Sequence, residues 1–126
     1  MTAQSQSQRL AEDVADMLAT ALPVRRRRMF SGVGLFSDGL MFALVVDGVL
    51  YLKADAETQE LFAREGLAAF TYARQGNRSV ALSYWRAPER LLDEPDELAD
   101  WANLAMRAAR RAAAQQKRRE KRQPPR

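Results

Sequence analysis

The chain has 126 residues, enough for the core of one domain and too few for two. Hydrophobic residues make up 47% of it and charged residues 29%, which is typical of a globular protein. Cys and His are both absent, and this excludes disulfide bonds, metal sites built on thiolates or imidazoles, and catalysis by a Cys nucleophile or a His base. Carboxylates, Lys53 and a few hydroxyl groups are the side chains left for chemistry. We assign no catalytic residue and expect no cofactor and no metal ion.

The net charge of +4 is unevenly placed along the chain. Residues 117–126 contain six basic residues and one acidic residue, a net charge of +5. Residues 1–116 contain fourteen basic and fifteen acidic residues, so the rest of the chain is close to neutral. A basic protein is expected to bind polyanions, and here we expect that binding at the C-terminal end, where the charge lies.

The chain shows no sequence pattern of a secretory signal or of a membrane-spanning segment. Residues 1–8 are polar and lack the apolar stretch of a secretory signal, so we interpret them as a flexible leader. The longest apolar run, Leu40–Val46, has seven residues, where a membrane-spanning helix needs about twenty. These features predict a cytoplasmic protein that does not enter a membrane.

The first half of the chain predicts one helix followed by a sheet. Apolar residues recur on one side of a helix from Leu10 to Leu22, and Pro23 ends it. Short β-rich runs follow, separated by the hairpin dipeptides Asp38-Gly39 and Asp47-Gly48. Because Leu40–Val46 is apolar at every position, we expect a central strand that is covered on both faces or forms a dimer contact.

The second half predicts a short helix, a hairpin and a long helix. Asp55 begins the short helix and Gly66 ends it. Two strands flank Gln75–Arg78, and Pro95 lies in the first turn of the last helix. The order is α-β-β-β(-β)-α-β-β-α, an α+β fold in two layers with an antiparallel sheet of about five to six strands and the helices on one face. Its core should contain the following residues: Phe42, Leu44, Leu50, Leu52, Leu82 and Trp101.

Two basic segments are candidate binding sites. Arg25, Arg26, Arg27 and Arg28 form an anion patch or, alternatively, a solvated strand entrance whose side chains alternate between faces. The last helix and the tail offer the nucleic-acid contacts Arg107, Arg111, Arg118, Arg119 and Arg122. If the helix continues past Ala114, most of these arginines share one side and suit a phosphate backbone. The alternative is a solubilising, disordered tail.

Other polar and aromatic groups have structural interpretations that we favour. Lys53 is the single lysine before the tail, and we expect an ordinary solvated side chain rather than a nucleophile. The acidic residues between Glu89 and Asp100 match the dipole at a helix N-terminus better than a cation site. Tyr72, Tyr84 and Trp85 suggest a stacking platform, but aromatic residues in strands more often pack in the core.

The order of several motifs resembles the TfoX N-terminal domain family. The matching segments are RRMFSGVGLF from Arg27, DGLMFALVVDGVLYLKAD from Asp38, FTYARQG from Phe70 and LSYWRAPERLLDEPDELADWANLA from Leu82. The similarity covers about residues 10–110, which places the domain at residues 9–112 and a basic tail at 113–126. The resemblance implies a two-layer α+β fold similar to secretion chaperones and no established catalysis. It also implies a link to competence regulators, whose known members act in transcription with the cyclic-AMP receptor protein.

These observations leave three hypotheses of different classes. The first is a non-enzymatic regulatory module that binds a protein partner or associates with itself, through the sheet or a dimer face. The second is a protein that contacts nucleic acid through the basic end of the last helix and the tail. The third is a small enzyme that relies on carboxylates or Lys53. We favour the first hypothesis.

Overall fold

The computed structural model describes residues 5–29, 32–74 and 78–122. Within these ranges the helices are α1 (Gln6–Leu18), α2 (Gln59–Arg64) and α3 (Pro95–Arg122), and a short 3₁₀ helix covers Glu89–Asp93. The strands are β1 (Arg25–Met29), β2 (Gly32–Ser37), β3 (Leu40–Val46), β4 (Val49–Lys53), β5 (Ala69–Arg74) and β6 (Arg78–Arg86). They form one antiparallel sheet in the order β1-β2-β3-β4-β6-β5. The predicted α+β class, with six strands, is confirmed.

Helix α1 begins earlier than the hydrophobic pattern indicates. The Ser5 side chain accepts a hydrogen bond from the backbone N–H of Gln8, and the Gln8 side chain accepts one from the backbone N–H of Ser5. This capping box satisfies two of the free donors at the helix start. Ser7 is buried, and its hydroxyl accepts a hydrogen bond from the backbone N–H of Gly48 at 2.9 Å. Residues 6–8 of the segment predicted as a leader are therefore part of the helix.

The two Asp-Gly hairpins have the backbone that their sequence predicts. Asp38 and Gly39 have φ angles of 51° and 75°, and Asp47 and Gly48 have 52° and 73°. Two successive positive φ angles are the feature of the tight hairpin turn that suits the twist of neighbouring strands. The third predicted hairpin turn, at Gln75–Asn77, lies outside the described residues.

The core lies on the side of the sheet that the helices cover. In the strands, Val33 pairs with Val45 and Leu35 with Ala43, and these residues are buried under α1 and α3. Helix α3 contributes a buried stripe at helical spacing, which includes Leu98, Trp101, Ala102, Ala105, Met106 and Ala109. Strand alternation places these sheet and helix residues in one continuous core.

The predicted core set is correct for Phe42, Leu50, Leu52 and Trp101, which belong to this cluster. It is wrong for Leu44. Leu44 is only 7% exposed, but it is paired with Gly34 and Tyr51 on the opposite side of the sheet and does not belong to the cluster. The side chain of Leu82 lies outside the described part of the molecule.

Helix α3 continues well beyond the core. Its last buried residue is Ala109, and residues 114–122 are exposed at every position. At 1.5 Å per residue, these nine residues form about 13 Å of helix that packs on nothing in the described structure. Every residue from Lys117 to Arg122 is charged. No helix of the described ranges is both long and apolar enough to cross a membrane.

Candidate functional site

The side of the sheet away from the core carries a continuous set of apolar side chains. Cross-strand pairs place them together: Phe36 is opposite Met41, and Val46 is opposite Val49. We call this surface the helix-free face and define it by Phe36, Met41, Leu44, Val46, Val49 and Tyr51. None of these residues belongs to the core cluster, and all except Leu44 are half-buried. The apolar run of β3 predicts a strand that is covered on both faces or forms a dimer contact. This run is the feature of the sequence that indicates the helix-free face.

An aromatic pair extends the helix-free face towards the far edge of the sheet. The rings of Tyr51 and Phe70 meet edge to face, with their centroids 4.9 Å apart. Arg86 is the cross-strand partner of Tyr51 on β6. Trp85 packs as the favoured interpretation expects, because it pairs with Leu52 and lies on the core side, with its ring 6.0 Å from that of Phe62. The Tyr72 side chain lies outside the described structure.

Tyr84 and Lys53 pack against each other at the end of this face. The Tyr84 hydroxyl donates a hydrogen bond of 3.1 Å to the carbonyl of Met41, and burial raises the pKa of Tyr84 to about 12. The Lys53 Nζ lies 5.1 Å from the centroid of the Tyr84 ring and donates a hydrogen bond of 2.6 Å to the Ser83 Oγ. Burial lowers the pKa of Lys53, although the Asp55 carboxylate opposes this shift. Lys53 is half-buried and bonded rather than freely solvated, and its contacts join β4 to β6.

The four consecutive arginines occupy β1, an edge strand of the sheet. All four are exposed, and successive residues point to opposite faces. Arg25 is paired with Phe36 and Arg27 with Gly34, which places these two side chains on the same side as the helix-free face. Arg26 points to the other side, where its guanidinium lies 3.3 Å from the Glu12 carboxylate of α1. The structure thus divides the predicted anion patch between two surfaces.

The predicted nucleic-acid contacts of α3 are also divided. At 100° per residue, Arg107, Arg118 and Arg122 share one side of the helix, and all three are exposed. Arg111 shares that side but donates hydrogen bonds of 2.7 and 3.1 Å to the Asp55 carboxylate, with Glu57 3.1 Å away. Arg119 is exposed and lies about 100° around the helix from Arg118.

One of the acidic residues near the start of α3, Glu97, shares an ion-pair partner with Glu65, which follows α2. Arg90 donates hydrogen bonds to the carboxylates of Glu65 and Glu97, with shortest distances of 2.6 Å to each. These bonds hold the pKa of both carboxyl groups below their usual values. The described residues include no group of three acidic side chains placed to hold a metal ion.

The fold and its surfaces define a small two-layer α+β domain with an open antiparallel sheet, one face of which is apolar and carries no helix from the described parts of the chain. The family model of the TfoX N-terminal domain matches residues 16–109, and the chain belongs to this family. The resemblance found in the sequence is therefore confirmed.

Two curated relatives carry the same similarity. The DNA transformation protein TfoX1 of Aliivibrio fischeri is 32% identical over 85 residues, which are 68% of this chain and 40% of that protein. Protein Sxy of Escherichia coli is 36% identical over 76 residues, 60% of this chain and 36% of that protein. In each case the matched region spans about two fifths of the relative or less.

Proposed function

We propose that this chain is a non-enzymatic regulatory module that acts by binding another protein through its helix-free face. The observation that carries the proposal is the contiguous apolar surface around Leu44 and Tyr51, formed on a sheet whose other face already holds the core. Apolar patches rimmed by polar groups are typical of protein-binding surfaces. The regulatory role is supported by the family, two of whose members are DNA transformation protein TfoX1 and Protein Sxy.

The charges around the helix-free face favour a different protein over a second copy. Arg25 and Arg27 border the face at β1, and Arg86 borders it at the other end. A second copy placed face to face would bring these cations towards one another, which costs free energy. A partner with an apolar centre and an acidic rim would instead be complementary.

The arrangement of Lys53 argues against the enzyme hypothesis. Its Nζ is occupied by the Ser83 hydroxyl and the Tyr84 ring, and these contacts hold two strands together. A Schiff-base lysine needs a free amine facing a substrate pocket. We therefore assign Lys53 a packing role in this proposal.

The test uses complementation of a deletion strain in the native host, with transcript profiling as the measurement. Val49→Glu and Met41→Glu place a carboxylate in the helix-free face, and Ala63→Glu places one on the exposed surface of α2 as a matched control. We expect deletion to change a defined set of transcripts, wild type and Ala63→Glu to restore them, and the face variants to fail while keeping a wild-type melting temperature. A deletion that leaves transcripts unchanged, or folded face variants that complement fully, would contradict the proposal.

A second candidate function is nucleic-acid contact through the end of α3. The favouring observation is that the helix continues to Arg122 with residues 114–122 exposed, as the phosphate-binding hypothesis requires. Residues 117–122 alone carry five basic residues and one acidic residue.

A further inference from the structure

Strand β1 has one open edge. It is hydrogen-bonded to β2 and, within the described residues, to no other strand. Such an edge presents unpaired backbone N–H and C=O groups that can bind an extended segment of another chain. Its five residues would pair with about 17 Å of an added strand.

A groove borders this edge on each side of the sheet. At the start of β1, an open groove of about 710 Å³ is lined by Arg25, Arg27 and Phe36 from the side of the helix-free face, together with Arg26, Ser37 and the Asp38-Gly39 turn. On the side of α1, a second groove of about 450 Å³ is lined by Ala19, Leu22 and Val24, among others. Because side chains of a strand alternate between faces, a segment added to β1 would place successive side chains in the two grooves.

The two grooves differ in chemistry. Within the described residues, neither Arg25 nor Arg27 forms an ion pair. Their guanidinium groups are therefore available to carboxylates. The α1 groove is lined by the apolar residues Ala15, Ala19, Leu22 and Val24 and by the acidic residues Glu12 and Asp16, and its cation, Arg26, is already beside Glu12. The β1 arginines therefore favour acidic side chains on one side, whereas the acidic residues of the α1 groove repel them and leave apolar side chains as the complement on the other.

We infer that β1 is a docking site for an extended segment of another protein in which acidic and apolar residues alternate, bound by strand addition. This site adjoins the partner surface of the proposed function and shares Phe36, Arg25 and Arg27 with it, but its β1 backbone edge is not part of that surface. A second copy of β1 is a poor occupant, since pairing would set four arginines against four arginines. The same charges thus oppose self-association and favour an acidic guest.

The test measures peptide binding to the purified full chain by fluorescence anisotropy. The probe is a labelled peptide whose centre reads Glu-Val-Glu-Val-Glu, and three comparison probes are a Lys-Val-Lys-Val-Lys peptide, the acidic peptide with alternate backbone amides N-methylated, and single-stranded oligo-dT of similar charge. We expect binding of the first peptide alone, with slower amide hydrogen exchange in residues 25–29. Arg25→Gln with Arg27→Gln should weaken it about fivefold to tenfold. Arg118→Gln with Arg122→Gln, an equal loss of charge on the exposed end of α3, should leave it unchanged.

Three results would overturn the inference. Equal binding of the N-methylated peptide would show that backbone pairing is not used. Equal weakening by the α3 variant would show that the affinity comes from net charge. If oligo-dT bound more tightly than the acidic peptide and slowed amide hydrogen exchange in β1, the edge would be a nucleic-acid site. The helix-free face variant Val49→Glu should bind the acidic peptide normally, so this test can fail or succeed independently of the regulatory proposal.

Discussion

Arg111 on α3 and Asp55 after β4 form a two-point ion pair between residues that are 56 positions apart in the chain, with donor–acceptor distances of 2.7 and 3.1 Å. Asp55 also accepts a hydrogen bond from the backbone N–H of Glu57, and its own N–H donates to the Thr58 hydroxyl. The pair therefore joins α3 to the turn that begins α2. It lies close to the point where α3 leaves the core, at Ala109.

Asp55→Asn should make stability less dependent on pH in the acid range. The hydrogen bonds from Arg111 hold the pKa of Asp55 below its ordinary value of 3.8 in the folded protein. Because the folded pKa is depressed, the pair contributes fully above the unfolded value and loses its contribution as the pH falls through the folded one. We expect the variant to lose up to about 1 kcal/mol at neutral pH, since the pair is partly exposed.

Urea unfolding across the acid range measures this difference. The gap between wild type and Asp55→Asn should be constant above pH 3.8 and shrink below it. Asp100→Asn, which changes an exposed carboxylate on α3, is the control and should show no such change. A gap that widens on acidification would show that the pair has no stabilising role.

Trp101→Ala should destabilise the domain by about 3 to 5 kcal/mol, as expected for emptying a large aromatic site. Trp101 is 9% exposed, and its ring meets that of Phe62 edge to face at 5.0 Å. Leu61→Ala is the control, because Leu61 is 37% exposed. Denaturant melts provide the measurement, and a loss well below 1 kcal/mol would show that Trp101 contributes little to the core.

Gly32→Ala should cost more stability than Gly34→Ala. A Cβ at position 32 would overlap the backbone carbonyl oxygen of Val45, which the β2–β3 ladder holds in place. A Cβ at position 34 would meet the Sδ atoms of Met29 and Met41 at 2.7 and 2.8 Å, and these flexible side chains can move aside. We expect a loss of about 1 to 3 kcal/mol for Gly32→Ala in thermal or urea melts. An equal loss for the two variants would contradict this explanation.

Deleting residues 117–126 should remove any non-specific affinity for DNA or RNA. These residues carry a net charge of +5, whereas residues 1–116 are nearly neutral. If about five counterions are released, the log–log dependence on salt should have a slope near −4.5 for duplex DNA. The melting temperature should hardly change, because residues 114–122 are exposed. Electrophoretic mobility shifts at two salt concentrations give the comparison.

Two outcomes of this deletion experiment would reject the hypothesis. Unchanged binding by the shortened chain would place the phosphate contacts at Arg25–Arg28 instead. If neither form binds with a Kd of about 10⁻⁴ M or tighter, the value typical of non-specific contacts, the nucleic-acid hypothesis is rejected. Binding to a protein partner then remains as the mode of action.

Lys53→Met should leave the fold and the regulatory role intact. The substitution keeps the aliphatic length of the side chain beside the Tyr84 ring and removes the hydrogen bond to Ser83. Burial lowers the pKa of Lys53, which means that the folded state disfavours the charged amine. Removing the charge should therefore cost little stability. Complementation with a matched thermal melt provides the measurement. Loss of the regulatory role at an unchanged melting temperature would support the enzyme hypothesis.

The sequence by itself determined the family, the element order and much of the local geometry. The positive φ angles of Asp38-Gly39 and Asp47-Gly48 follow from turn chemistry, and the buried stripe of α3 follows from helical periodicity. Both are properties of residues close together in the chain. For that reason they could be read without knowing what packs against them.

Only the tertiary structure decided what each surface is free to bind. Leu44 faces away from the helices, and this orientation depends on the pairing of β3 with β2 and β4. Arg111 is bound to Asp55, a partner 56 positions away in the chain. The periodicity of α3 does not contain this ion pair, and it therefore predicts that Arg111 is free to contact phosphate. The arginines of β1 border an open edge because the sheet ends there. Strand order and long-range ion pairs depend on contacts between distant residues, and neither periodicity nor local charge contains that information.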